Sequence, residues 1–285
     1  MIDFSVLSTV VGQSDDSGLP DSTSENSSVL PSIRGRYRFE RDMLEILASS
    51  TSALFGRPTF GVTTLREPNF GACIPDLLVG VWALDSTSGV SLSPRFPYGL
   101  VDSFLAHFVA SAGEIEIDSV RLQLGLTTNA TVQSLTKLQR HGLVDWVYAD
   151  VVASTHAITA LMNTEIIAIE AKLTRWREAL EQAASYKSFC DQSYVALDAG
   201  QIRVTETLIS EFRSAGVGLL LCDGHAIRCA ITAVTHSARS PQRARAALKL
   251  AASRAGVKIG RSWQVSGSAH PCFKCLEPSG LVAKV

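Results

Sequence analysis

The chain has 285 residues, 46% hydrophobic and 19% charged, with a formal net charge of −1, the composition of a globular protein of one large or two smaller domains. No apolar run approaches the roughly 20 residues of a membrane span, and the start MIDFSVLSTVVG lacks the basic end and cleavage site of a secretory signal. Six cysteines at irregular spacings do not make a secreted disulfide framework, so a cytoplasmic protein with no membrane partner is expected.

Residues 1–33 read as a flexible N-terminal tail, because QSDDSGLPDSTSENSSVLPS is Ser/Asp-rich and offers too few apolar side chains to offset ordering entropy. Residues 34–90 open the folded part. Arg36–Ala48 is amphipathic and presents Glu40 or Glu45, Pro58–Leu65 is strand-like, and Ile74–Leu84 is a second strand with Pro75-Asp76 at its start. The texture changes over residues 91–152, read as an inserted three-helix unit. Leu100–Ser111 is helical in period, Ile117–Leu124 forms a short second helix, and Gly125 with Asn129 supplies a turn and an N-cap. The third helix lies in TVQSLTKLQRHGLVDW. It is expected to bury Val132, Leu135 and Leu138, to leave Gln133, Ser134, Lys137 and Arg140 exposed, and to stop at Gly142.

Residues 153–235 return to the core. Thr164–Ile169 is a β-branched, nearly uninterrupted apolar run, as in a strand buried on both faces. It ends in Glu170-Ala171-Lys172, where alternation puts Glu170 and Lys172 on one face and turns Ala171 away. An amphipathic helix follows, on which Glu178, Gln182 and Tyr186 share a face at spacings of four, and then come strand-like Ser193–Leu197 and Val217–Cys222. The five strands are expected in one central sheet. Residues 236–285 form a basic region. Between Gly224 and Cys275 there is no acid, while Arg228, Arg239, Arg243, Arg245, Lys249, Arg254, Lys258, Arg261 and Lys274 give a local charge of +9. On a helix over Pro241–Ala255, Arg243, Arg245 and Lys249 would track phosphates. The late AHPCFKC holds His270, Cys272 and Cys275 but lacks the second pair a zinc site needs, and the other histidines have no ligand-like spacing.

The order Pro75-Asp76, then Glu170-x-Lys172, then Gln182-x-x-x-Tyr186 resembles the PD-(D/E)XK nuclease superfamily, in particular its RecB-like branch. The resemblance spans about Arg34–Leu84 and Thr164–Ile231 and is one of motif order. It implies an α/β restriction-endonuclease-like core with a mixed central sheet flanked by helices, acting as an endo- or exonuclease that hydrolyses DNA with Mg²⁺ or Mn²⁺. Asp76 and Glu170 would hold the metal, Lys172 would orient or activate water, Gln182 and Tyr186 would position the metal shell or DNA backbone, and Glu40 on the first helix would be an additional acid. Asp150 is the alternative upstream acid, since 94 positions separate Asp76 from Glu170. GLTTNATVQSLTKLQRHGLVDW is similar to the recognition helix and wing entry of winged helix-turn-helix domains, which would set Gln133, Lys137 and Arg140 against DNA. Such units also serve as scaffolds or pair two copies of a chain. A non-catalytic DNA-binding regulator on a nuclease-like fold is the alternative reading.

Overall fold

The structure, a computed structural model, describes residues 37–70, 73–83, 99–224 and 226–256. The N-terminal tail, Arg34, Arg36, Leu84, His225, the AHPCFKC segment, Lys258, Arg261 and Lys274 lie outside the described residues. In chain order the folded part begins with α1 (Glu40–Phe55), β1 (Phe60–Arg66) and β2 (Leu77–Ala83). An inserted run follows: α2 (Leu100–Ala112), β3 (Glu114–Glu116), α3 (Ile117–Leu124), α4 (Thr128–Arg140), β4 (Val144–Trp146), β5 (Val151–Ser154) and α5 (His156–Met162). The chain then returns through β6 (Glu165–Lys172), α6 (Trp176–Ser185), a single 3-10 turn at Tyr186–Ser188, β7 (Gln192–Asp198), α7 (Glu206–Ala215), β8 (Gly218–Cys222), β9 (Ile227–Ile231) and α8 (Pro241–Gly256).

The architecture is α/β, with a mixed six-stranded sheet in the order β1-β2-β6-β7-β8-β9 flanked by helices. The continuous apolar runs become its interior strands: β6, β7 and β8 are buried along nearly their whole length, as expected for strands covered on both faces. β6, β7 and β8 are parallel and are joined by the α6 and α7 crossovers, whereas β1–β2, β2–β6 and β8–β9 are antiparallel. All five strands read from the sequence lie in this sheet. β9 is an addition, a short edge strand whose sequence IRCAI carries too weak an alternation to stand out.

Alternation divides the core in two. Leu77, Val79, Ile167, Ile169 and Ala171 pack with Met43, Leu44 and Leu47 of α1, while Leu78, Ile166, Ala168, Val195 and Leu197 face the other helices. The inserted run carries its own three-stranded antiparallel sheet in the order β3-β5-β4. Its interior residues Leu105, Val109, Leu135, Leu138 and Val152 belong to the same cluster as the second sheet face. Ile33–Val285 is one compact unit, so the run from α2 to β5 is an insertion in topology that shares the main core. Local signals set its helix ends: the Thr127 side chain accepts from Ala130 N at α4's start, in place of the expected Asn129 cap. Gly142 follows α4 at φ 66°, a left-handed conformation that favours glycine.

Two exposure expectations need correction. On α4, Val132 is 36% exposed and Ser134 is buried; Ser134 donates to Asp102 of α2, and Lys137 Nζ meets the same carboxylate at 2.7 Å. The polar stripe of α4 therefore partly faces α2, because a buried carboxylate there needs partners. On α8 the basic side chains expected to track phosphates lie largely against the fold. Ala244, Ala246, Ala247, Leu248 and Leu250 are buried, and the long cationic side chains lie along the packed surface. Lys249 Nζ donates to the Asn69 carbonyl and sits 5.0 Å from the Phe70 ring centroid, and Arg245 Nε is buried.

Arg243 is the most constrained of these. Its Nε and Nη2 donate to Asp191 Oδ1 at 3.2 Å, Nη2 reaches Oδ2 at 2.9 Å, and Nη1 and Nη2 donate to the Met162 and Thr164 carbonyls at 2.6 and 2.8 Å. Asp191 Oδ2 also accepts from Ile166 N at 2.7 Å, so one ion pair ties α8 to the entrances of β6 and β7. Both side chains are only 11% exposed. Truncating one partner leaves the other charge buried: Arg243→Ala is expected to lose about 3–5 kcal/mol of stability, read from the urea midpoint. A variant as stable as the parent would show that the clamp is dispensable.

Candidate functional site

The β2–β6 register pairs Leu77 with Ile169, and continuing it by one residue brings Asp76 opposite Glu170. Side chains so placed have Cβ atoms about 4.5–5.5 Å apart. The two carboxylates therefore meet because their strands are antiparallel neighbours, despite the 94 positions between them. Ala171 belongs to the α1 side of the core, so Glu170 and Lys172 point to the other face, as alternation requires.

Glu170 is 3% exposed and Lys172 9%. Lys172 Nζ donates to Glu170 Oε1 at 2.8 Å, and the Tyr186 hydroxyl donates to Oε2 at 2.6 Å. The Tyr186 oxygen also lies 3.3 Å from the Ile74 carbonyl. Ala171 N donates to Asp76 Oδ2 at 2.7 Å, fixing one oxygen and leaving Oδ1 without a hydrogen bond. Glu40, the first residue of α1, brings Oε2 to 3.8 Å from Lys172 Nζ. The site thus draws on the entrance of β2, the exit of β6, the start of α1 and the turn after α6.

Burial, then the neighbouring charge of Glu170, pushes the Asp76 carboxyl up to about 6 despite the Ala171 hydrogen bond. Burial pulls the Lys172 ammonium down, but its hydrogen bond to Glu170 and the charges of Glu170, Asp76 and Glu40 outweigh this and leave it above its usual value. Lys172 is therefore a fixed cation. Burial and the Glu170 hydrogen bond likewise raise the Tyr186 phenol, which stays a donor.

Other candidates fall elsewhere. Gln182 is exposed, whereas Tyr186 turns inward beyond the end of α6, in the 3-10 turn. Glu178 pairs with Arg175 at 2.9 Å, and Glu45 pairs with Arg66 on the surface. Asp150 lies exposed between β4 and β5 in the small sheet, its carbonyl accepting from Ile117 N, so Asp76 is the acid that adjoins Glu170. Of the residues expected to face DNA, Gln133 and Arg140 are exposed on α4, Lys137, Arg243 and Lys249 are engaged as described above, and Arg245 has its Nε buried without a hydrogen-bond partner among the described residues. Sequence reading passed over Arg41 and Arg175, next to Glu40 and three residues after Lys172, whose side chains are 80% and 67% exposed; the run Arg36–Arg41 carried that signal.

Among the described residues, no group of three or more His, Cys, Asp or Glu is gathered as a metal site. Two carboxylates are nevertheless a suitable donor set for Mg²⁺, which takes one or two carboxylates and completes its shell with water and substrate oxygens. Asp76 and Glu170 fit that pattern: they are adjacent, one Asp76 oxygen has no hydrogen bond among the described residues, and burial, then the charge of Glu170, raises the Asp76 carboxyl, which a bound cation would oppose.

No family model matches the chain, and no curated protein does. Among solved structures, it is similar to the SPO1766 protein of unknown function from Silicibacter pomeroyi, at 25% identity and a TM-score of 0.24 over 32% of this chain and 58% of that one. The chain thus spans somewhat over half the length of that protein.

Because the native Asp76 carboxyl titrates near 6 and its ordinary value is 3.8, the folded state holds a proton that the unfolded chain has released between those values. Stability then falls as pH rises through that window. Asp76→Asn keeps the acceptor for Ala171 N and removes the penalty. In chelator at pH 7.5 it should be more stable than the parent by about 1–3 kcal/mol, with the gap closing near pH 4. A pH-independent difference would show that Asp76 titrates as an ordinary carboxyl.

Proposed function

We propose that the chain is a metal-dependent deoxyribonuclease of the PD-(D/E)XK kind, hydrolysing phosphodiester bonds at the Asp76–Glu170–Lys172 cluster. The observation that carries this reading is the placement of Asp76 opposite Glu170 with the Lys172 ammonium bonded to Glu170 at 2.8 Å. A structural ion pair needs only one acid for its lysine; this end of β6 surrounds one lysine with Asp76, Glu170 and Glu40.

Asp76 and Glu170 would hold Mg²⁺ or Mn²⁺, which when bound supplies charge neutralisation at the phosphoryl group and an acidified water. The residues' own contributions follow from their geometry. Tyr186 fixes the Glu170 carboxylate from the side opposite Lys172. Lys172, held protonated, donates to the attacking water or to a non-bridging phosphoryl oxygen as negative charge develops there. Glu40 gives that ammonium a second anion to lean on. Exposed Arg41 and Arg175 are placed in sequence to meet the flanking phosphates.

The inserted run has the order helix, strand, helix, helix, strand, strand, with a three-stranded antiparallel sheet, which is the order of a winged helix. We read it as an accessory DNA contact through Gln133 and Arg140 of α4. Its charge argues against it as the main grip: Asp102, Glu114, Glu116, Asp118, Asp145 and Asp150 outnumber Arg121, Lys137 and Arg140. That balance favours the nuclease over a regulator that binds DNA through this unit alone.

The test is cleavage of supercoiled, linear double-stranded and single-stranded DNA with Mg²⁺ and with Mn²⁺. Glu170→Gln and Lys172→Ala should each lower the rate by about a hundredfold or more, with DNA affinity retained. Wild-type protein inert on every substrate, or a fully active Lys172→Ala variant, would overturn the nuclease; inert protein that still binds DNA would instead support the regulator.

A further inference from the structure

The segment 37–40 is strapped across the exits of the parallel strands. Gly224 N, just beyond β8, donates to the Tyr37 hydroxyl at 2.9 Å. Gln201 Nε2, just beyond β7, lies 3.5 Å from the Tyr37 carbonyl oxygen, and Glu40 Oε2 lies 3.8 Å from Lys172 Nζ at the end of β6. Tyr37 itself is buried. Phe39, held between these anchors, sits at the edge of the sheet where open α/β folds take their ligands, and its side chain stays 45% exposed.

Phe39 is also the residue that caps α1, and its side chain makes no capping hydrogen bond. That position favours Ser, Thr, Asp or Asn, whose oxygen satisfies a free amide at the helix start. An exposed aromatic ring there gives up the cap without filling the core, the kind of local mismatch expected where function sets the residue. The guanidinium carbons of Arg38 and Arg41, both exposed, lie 5.2 and 5.0 Å from the ring centroid. One aromatic ring and two cations therefore stand together beside Glu40.

A second exposed apolar residue adjoins the cluster from β2's side. Ile74 is 48% exposed, and its carbonyl lies 3.3 Å from the Tyr186 hydroxyl. Contacts run from Glu40 to Lys172, on to Glu170, then to Tyr186 and to Ile74. The charged groups suited to a phosphate thus form a chain whose two ends adjoin Phe39 and Ile74. A paired duplex keeps its base faces stacked inside and gains little from an exposed ring, whereas an unpaired nucleotide offers a base face to stack on it.

Resting on the nuclease reading above, we propose that the cluster acts on DNA that is unpaired at the cleavage point, with Phe39 stacked on the base beside the scissile phosphate. Arg38 and Arg41 meet the adjoining phosphates, and Ile74 packs against the nucleotide on the other side.

Fluorescence anisotropy of labelled oligothymidylate, an abasic strand of equal length and a blunt duplex, with the full chain in chelator, tests the stacking. Mg²⁺-dependent cleavage of the blunt duplex and of a duplex bearing a single-stranded flap tests its placement. Oligothymidylate should bind about tenfold or more tighter than the abasic strand, which carries the same phosphates. Phe39→Ala should lose that advantage, leave abasic binding unchanged and keep the parent's melting temperature, while Phe39→Trp should retain it. Cuts should fall in the flap, and Phe39→Ala should raise KM there more than it lowers kcat. Equal affinity for the abasic strand, or a Phe39→Ala variant that binds oligothymidylate as the parent does, would overturn the proposal. Blunt duplex cut as fast as the flap would overturn it and leave the nuclease standing. Binding that depends on Phe39 with no cleavage of any substrate would overturn the nuclease, and with it the place of the base beside a scissile phosphate.

Discussion

Two carboxylates facing each other across neighbouring strands repel, and the end of β6 is organised around that repulsion. Lys172 neutralises Glu170 from one side, Tyr186 donates to it from the other, and the Ala171 amide holds Asp76. Burial, and after it the neighbouring charge of Glu170, nevertheless leaves the Asp76 carboxyl raised to about 6. A site built for stability alone would relieve such repulsion with an amide or a hydroxyl. Two acids beside a fixed cation are an arrangement that a divalent ion could relieve, and perturbed carboxyls of this kind are common at functional sites.

The pairing depends on a long closure. The chain leaves β2, builds a small sheet with its own helices, and returns to lie antiparallel to the strand it left. Loop-closure entropy grows only slowly with length, and the insertion recovers it by burying Leu105, Val109, Leu135 and Leu138 in the common core. The Arg243–Asp191 pair then fastens α8 across the entrances of β6 and β7. Lys137, Arg243 and Lys249, expected to be free for nucleic acid, thus spend their charges internally.

How legible this was in the sequence depended on the range of each interaction. Strands announce themselves by neighbours along the chain, so the interior strands and Ile117–Leu124 were readable from apolar runs and helical period. Glu170 and Lys172 were readable for the same reason, since alternation over two residues fixes their common face. Asp76 needed the motif order as well, because its partner is 94 positions away. Lys137 and Arg243 were misjudged because charge shows in sequence but its partner does not: Asp102 is 35 positions from Lys137, and Asp191 is 52 from Arg243. Gln182 and Tyr186 were read onto one helix face, but Gln182 is exposed and Tyr186 gained its inward turn from the 3-10 geometry after α6.

The central claim is that Asp76 and Glu170 act as one cation site. Calorimetric titration of Mn²⁺ into the metal-free wild type, Asp76→Asn, Glu170→Gln and Lys172→Ala addresses it without reference to any substrate. The account expects one saturable site in the wild type, weakened by about tenfold or more in each carboxylate variant and retained in Lys172→Ala. Identical Mn²⁺ binding by the wild type and both carboxylate variants would contradict it.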